Sequence, residues 1–297
     1  MKKGIVIRAF SGNPDFLGDA GFLDGPDDFS RCFDAAMETG FEAVQLYVER
    51  EGYFSLASDL KIAEEIAARA ARTGVALASL EIAPFQYSFT DPHPEVREDA
   101  RRTVCRALEI AAAMELPGVL VIPGYVGLPW DSSVAPIPYD EAYERTRAGL
   151  TTVGAEAERL RTPVLVENVW NRFLLSPLEM RALIDEIGSA YVGVLFDTGN
   201  VVLMGYPEQW IRILGERIRE VHFKDFKANV GTIDGFVPLL EGDVNWPEVM
   251  VALQEVGFDG FVTAELFPYK HHGDVVLSHT STSMDVILGR TRLCMTK

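Results

Sequence analysis

The sequence predicts a single α/β domain over residues 1–297, a (β/α)8 TIM barrel. Three observations carry that expectation. Short apolar runs alternate with helical stretches eight times, with no composition break that would mark a linker. The runs are continuous rather than alternating, as strands buried on both faces require. Several of them stop abruptly at a group able to bind a metal or move a proton, although buried charge is costly unless paired. An open doubly wound sheet is the alternative. Neither G-x-G-x-x-G after the first strand nor G-x-x-x-x-G-K-[ST] is present to support it.

Residues 4–10 read as the first strand, ending near Arg8 and Ser11, and a stretch rich in Gly, Asp and Asn follows. Residues 27–39 have helical spacing, with Phe29, Cys32, Phe33 and Ala36 on the apolar side and Gly40 as the stop. Residues 43–48 form a second strand. Ser58 reads as the N-cap of a helix over 59–72, which Gly74 ends. Strand three, 75–80, ends at Glu81. A long helix over 95–114 precedes strand four, 119–122, which Pro123 and Gly124 close. The loop 125–138 holds Trp130 and several prolines, and a loop of that length is often functional. After a helix over 139–160, strand five, 164–166, ends at Glu167 and Asn168. Ser176 caps a helix over 177–187 with proline at its first position. Strand six, 192–196, ends in Asp197. A helix over 207–214 leads to strand seven, 218–221, which ends in His222, then Lys224 and Asp225. A polar, glycine-rich excursion covers 228–243. A helix over 246–256 precedes strand eight, 261–264, ending at Glu265, and a last helix covers 275–293.

Composition narrows the function. Lys plus Arg number 27 and Asp plus Glu 44, a net charge of −17. Such a surface repels phosphate backbones and acidic membranes, so neither nucleic acid nor membrane is the expected partner. No apolar run approaches the ~20 residues of a membrane helix, and the N-terminal run is too short for a signal peptide. Cys32, Cys105 and Cys294 are far apart and odd in number, which suits a reducing cytoplasm rather than a disulfide framework.

In a parallel barrel the C-terminal ends of all strands face one mouth. Glu167, Asp197, His222 and Glu265 then share a rim, from four successive strands. Left bare, three carboxylates there would repel one another. A divalent cation resolves this, and mixed oxygen and nitrogen ligands suit manganese, magnesium, cobalt or zinc. One acid after a strand is more often a helix cap or rim salt bridge, but four consecutive strand ends are hard to explain that way. Glu81, at the same rim, is a candidate contact for a hydroxyl-bearing ligand, with a rim salt bridge as the alternative. Trp130, Trp170 and Phe267 are candidates for an apolar wall, and Arg8, Arg172, His271 and His272 for phosphate binding.

The segments LVENVW, VLFDTGN, REVHFKD and TAEL, with LLEGDVNWPEVMVALQEVGFDG between the last two, resemble the xylose-isomerase-like barrels. Within them the match is closest to the sugar phosphate isomerase/epimerase family. It covers most of the chain and is strongest over residues 163–267. The resemblance implies a divalent metal, manganese first, held by Glu167, Asp197, His222 and Glu265. It also implies that Glu167 and Glu265 double as acid/base groups on a ketose or ketose phosphate. The chain departs from the ketose 3-epimerases at two places. Asn200 stands where they often have a histidine, and Ala228 where they often have an arginine. Asn200, Lys224 or Lys227 would stand in for those groups. The DTGN and HFKD forms are closer to the pentulose-phosphate 3-epimerases.

The expected chemistry is proton transfer next to a ketone through a metal-stabilised enediolate, most readily 3-epimerisation. Aldose–ketose isomerisation and metal-dependent elimination from a 3-keto sugar use the same parts. An endonuclease-IV-like phosphodiesterase would need more than the five histidines of this chain, and a non-catalytic barrel would not need the intact ligand set. The expected partner is a small sugar or sugar phosphate, with a homo-oligomer compatible.

Overall fold

A computed structural model describes residues 1–10 and 23–291. Eight parallel strands close a barrel. Seven come in turn: β1 (Lys2–Val6), β2 (Ala43–Val48), β3 (Ala76–Ile82), β4 (Val119–Val121), β5 (Val164–Glu167), β6 (Val192–Asp197) and β7 (Ile218–Phe223). A two-stranded antiparallel ribbon, β8 (Asp225–Phe226) and β9 (Phe236–Val237), then stands outside the ring. The eighth barrel strand, β10 (Phe261–Ala264), pairs with β7 and closes onto β1, Ile5 lying opposite Ala264. Among the described residues eight α-helices wrap it: α1 (Pro26–Glu38), α2 (Leu60–Thr73), α3 (Pro94–Ala113), α4 (Tyr139–Leu160), α5 (Pro177–Ile187), α6 (Pro207–Leu214), α7 (Trp246–Glu255) and α8 (Val275–Ile287). No described helix is long and apolar enough to cross a membrane.

The strands alternate their side chains between two environments. On β4, β5 and β6, Val119, Val121, Val164, Val166, Val192 and Val194 belong to the large core under the helices. Their neighbours Leu120, Ile122, Leu165 and Leu195 form a separate buried cluster inside the barrel. Each such side chain contributes about 1.5–3 kcal/mol by leaving water. The inward set of the other strands is polar: Gln45 on β2, Ser79 on β3, Glu220 on β7 and Thr263 on β10, none more than 1% exposed.

Several boundaries differ from the sequence expectation. The first strand ends at Val6, and a 3-10 turn, Ile7–Ala9, follows because the Phe10 N–H bonds back to Ile7 O at 3.3 Å. Arg8 is therefore carried on a turn, not a strand. The cap of α2 is Asp59, whose carboxylate accepts the Lys61 N–H at 2.9 Å. Ser58 instead donates its hydroxyl to Ser55 O at 2.7 Å. Ser176 does cap α5, accepting from the Glu179 N–H. Glu81 and His222 lie within β3 and β7 rather than beyond them. The last helix stops at Ile287, short of the expected 293, with Gly289 at φ +67° turning the chain. Most of the Gly-, Asp- and Asn-rich stretch after β1, the last residues of the expected final helix and Cys294 lie outside the described residues.

Candidate metal centre

Glu167 ends β5, Asp197 ends β6, His222 is the fifth residue of β7 and Glu265 follows β10. Each offers one ligand atom, and the four atoms lie within 4.8 Å of one another. His222 Nδ1 is 3.2 Å from Glu167 Oε1, 3.4 Å from Glu265 Oε2 and 4.0 Å from Asp197 Oδ2. Glu167 Oε1, Asp197 Oδ2 and His222 Nδ1 are buried without a directed hydrogen bond. Buried polar atoms are ordinarily paired. Three orphans converging on one point, all of them metal-ligand types, fit a divalent cation coordinated by oxygen and nitrogen.

Local sequence explains the convergence. Asp197 Oδ1 accepts the Asn200 N–H at 2.7 Å, which leaves Oδ2 for the cluster. Asn168, one residue past Glu167, clamps the next strand: its amide accepts from Asp197 N and donates to Asp197 O, both at 2.9 Å. Thr198 ties the DTGN segment to HFKD, donating to Lys224 O at 2.8 Å and accepting the Lys224 N–H at 3.1 Å. Gly199 is needed there, because a Cβ would sit 2.9 Å from the Lys224 backbone. Asp225 faces away from the cluster. Its carboxylate accepts the N–H groups of Leu240 and Val244 and the Trp246 indole, so it pins the 228–243 excursion against the barrel.

Lys224 Nζ donates to Glu265 Oε2 at 2.5 Å and lies 3.6 Å from Asp197 Oδ2, over the Phe236 ring. It sets the two glutamates apart. Burial raises Glu167 above the ordinary carboxylate range. Burial alone would raise Glu265 too, but the Lys224 ammonium and His222 outweigh it and hold that carboxyl well below the ordinary range. Burial pushes Asp197 up to about 8, against the opposing pull of Lys224. His222 is raised well above its usual value, because Glu167 and Glu265 outweigh the cost of burying its charge.

Above the cluster opens a pocket lined by Arg8, Glu81, Pro84, Phe85, Ile122, Trp130, Val169, Trp170, Asn200, Ile233, Phe236 and Phe267, with Glu167, Lys224 and Glu265 at its floor. The structure thus brings Glu81, Trp130, Trp170, Phe267, Arg8, Asn200 and Lys224 to one cavity. Phe85 meets Trp130 edge to face at 5.3 Å. Arg8 lies 3.9 Å from Glu81 and over the ring of Tyr47. Burial pushes Glu81 up to about 7, with Arg8 opposing. Four expected residues are elsewhere. Lys227 pairs with Glu241 at 3.7 Å, because the ribbon turns the chain outward after Phe226. Arg172, at φ +56°, is exposed and packs along Gly127 outside the pocket lining. His271 and His272 are exposed. Sequence reasoning missed Gln45, Asn168 and Thr198 as supports and Phe85, Ile122 and Phe236 as walls. The one available signal was a glutamine inside the apolar run AVQLYV.

A closed parallel barrel with three carboxylates and an imidazole gathered at the C-terminal mouth is a candidate metal-binding βα barrel. The family model for the xylose isomerase-like TIM barrel matches residues 33–282, and the chain belongs to that family. It is similar to an uncharacterised protein of Methanocaldococcus jannaschii, 28% identical over 188 residues, 60% of this chain and 61% of that one. It is also similar to an inosose dehydratase of Lacticaseibacillus casei, 26% identical over 141 residues, 42% of this chain and 47% of the relative. These matches span less than two thirds of either relative. Among solved structures, the D-psicose 3-epimerase of Clostridium cellulolyticum H10 with D-tagatose shares the fold. Its TM-score is 0.76 at 16% identity, over 97% of this chain and 99% of that one.

Proposed function

We propose that this chain is a divalent-metal-dependent sugar epimerase that inverts a carbon next to the carbonyl of a ketose or ketose phosphate, most readily C3. The observation behind the reading is the set of converging buried orphans, Glu167 Oε1, Asp197 Oδ2 and His222 Nδ1, completed by Glu265 under an aromatic-walled pocket. Glu167, Asp197, His222 and Glu265 would hold the ion. When bound, a divalent ion polarises the carbonyl and neighbouring hydroxyl oxygens as a Lewis acid, and manganese, magnesium, cobalt and zinc all suit the donors.

The chain supplies the proton traffic. β6 and β7 separate β5 from β10 in the ring, so Glu167 and Glu265 enter the mouth from different sides. A flat, deprotonated carbon held between them presents one face to each. With one carboxylate on each side, one is placed to take a proton from one face and the other to return a proton to the opposite face. Removal from one face and return to the other inverts the carbon. Phe85, Trp130 and Phe236 exclude water and lie against the carbon skeleton. Asn200 and Lys224 take the anchoring work of the absent histidine and arginine.

Elimination is the second reading, favoured by the inosose dehydratase relative. Single-turnover reaction of the manganese-loaded chain with a panel of ketoses and ketose phosphates in deuterated water, read by proton NMR, separates the outcomes. Deuterium at the inverted carbon of a ketose product is expected. Deuterium confined to C1 or C2 with an aldose product replaces epimerase by isomerase, and an unsaturated product replaces it by lyase.

A further inference from the structure

The His222 ring is gripped at both edges, and only one edge belongs to the cluster. Nδ1 faces Glu167 and Glu265. Nε2 points down into the barrel and meets the side-chain amide of Gln45, whose oxygen is 3.2 Å and nitrogen 2.9 Å away. A neutral imidazole has one N–H and one lone pair. Ligation through Nδ1 requires the hydrogen to sit on Nε2. That hydrogen then needs an acceptor, and an amide nitrogen cannot be one, so the Gln45 oxygen must take it.

Gln45 is itself held. Its amide nitrogen donates to Ser79 Oγ at 2.8 Å and lies 3.5 Å from Glu220 Oε1. Glu220 Oε1 also accepts the Thr263 hydroxyl at 3.0 Å. All four residues are inside the barrel, at 1% exposure or less. Glu220 Oε2 has no hydrogen bond, so this carboxylate is kept at the cost of incomplete solvation. A buried carboxyl that only filled space would be poorly placed here; one that accepts from an amide and fixes its orientation has a use. The layer joins β2 and β3, which carry no ligand, to β7, which does.

We propose that Gln45 is a positioning residue that fixes His222 as an Nδ1 ligand, and that Glu220 with Ser79 holds the Gln45 amide in the accepting orientation. The inference rests on the four-residue cluster binding a divalent ion. Partners of this kind behind a metal-bound histidine are worth roughly 10–100-fold in metal affinity.

The test is titration of the chelator-stripped chain with Mn2+, following free Mn2+ by electron paramagnetic resonance. Gln45→Leu should raise the Kd roughly 10–100-fold with the far-ultraviolet circular dichroism of the folded barrel retained; Gln45→Met serves where the leucine variant does not fold. Glu220→Gln keeps an acceptor oxygen for the Gln45 amide and should hold affinity within about threefold of the parent, whereas Glu220→Leu should weaken it in the same direction as Gln45→Leu. Leu165→Ala loosens the apolar half of the barrel, in the cluster with Leu120, Ile122 and Leu195, and leaves the Gln45 layer intact. It should lower Tm and leave Kd unchanged. An unchanged Kd in Gln45→Leu overturns the proposal, as does an equal loss in Gln45→Leu and Leu165→Ala, which would mark a packing effect. A parent chain that binds no Mn2+ removes the metal reading itself, and this inference with it.

Discussion

Beneath its mouth the barrel is filled in two ways. On β4, β5 and β6 and just past β4, the side chains Leu120, Ile122, Leu165 and Leu195 make an apolar plug. Around the rest of the ring Gln45, Ser79, Glu220 and Thr263 make a hydrogen-bonded layer. Packing alone serves the first half, because Asp197 takes its orientation from above, from the Asn168 amide on its backbone and the Asn200 N–H on its carboxylate. The second half lies under His222, whose ring can rotate and whose two nitrogens differ. Apolar packing is non-directional, whereas hydrogen bonds fix a ring's face and tautomer. The polar half therefore carries geometry and the apolar half stability.

The comparison breaks most sharply at Asp197. Its Oδ2 is an orphan aimed at the cluster, fully buried. Asp197→Ala should abolish turnover and raise the Kd for Mn2+ by more than the roughly 10–100-fold of an outer partner. His222→Ala should lose metal likewise. Retained metal occupancy in both variants would take the centre out of this reading.

A smaller effect sharpens the boundary between site and surroundings. Lys224→Met removes a charged hydrogen bond to Glu265 worth about 1.5–3 kcal/mol, so kcat/KM should fall roughly 10- to 100-fold. Lys227→Met, three residues on and paired with Glu241 outside the pocket, should stay within about twofold, as a surface pair of ~0–1 kcal/mol implies. Steady-state kinetics on both decides it. Equal losses would place substrate anchoring on the ribbon rather than the floor.

How much of this the sequence disclosed follows a physical line. Glu167, Asp197, His222 and Glu265 were legible because each interrupts or ends a continuous apolar run, and the barrel topology turns one-dimensional strand ends into a shared rim. The eight-fold alternation was legible for the same reason. Gln45 and Glu220 were not, because one polar residue inside a strand looks the same whether it faces a partner or is merely tolerated. Lys227 was misplaced because a two-residue ribbon reverses the chain, and neither β8 nor β9 is long enough to leave a period-two signature. Arg172 was misplaced by a left-handed backbone turn that no side-chain pattern announces. Asp225 was read as part of the chemistry; its partners show a carboxylate used to fold a loop.

The smallest expected effect is on pH, and its sign depends on the ion. Asp197 is raised from 3.8 to about 8, burial being the largest cause. With chelator present, the folded chain keeps that proton where the unfolded chain has released it. Its contribution to stability is complete below the unfolded value and is lost as pH rises through about 8, at up to ~1.4 kcal/mol per pH unit. His222, also raised, acts in the same direction. Glu265, held low, acts in the opposite direction only on the acid side of the ordinary carboxylate value, below this window. Between pH 5.5 and 8 the chelated chain should therefore lose about 2–4 °C of Tm per pH unit. A bound divalent ion displaces the same protons, so its affinity rises with pH and its stabilising effect grows across that window. Melts in excess Mn2+ should be flat or rising where the chelated melts fall. Parallel slopes in the two series would mean that the protons and the ion do not compete for one set of atoms, and the orphans of β5, β6 and β7 would need another explanation.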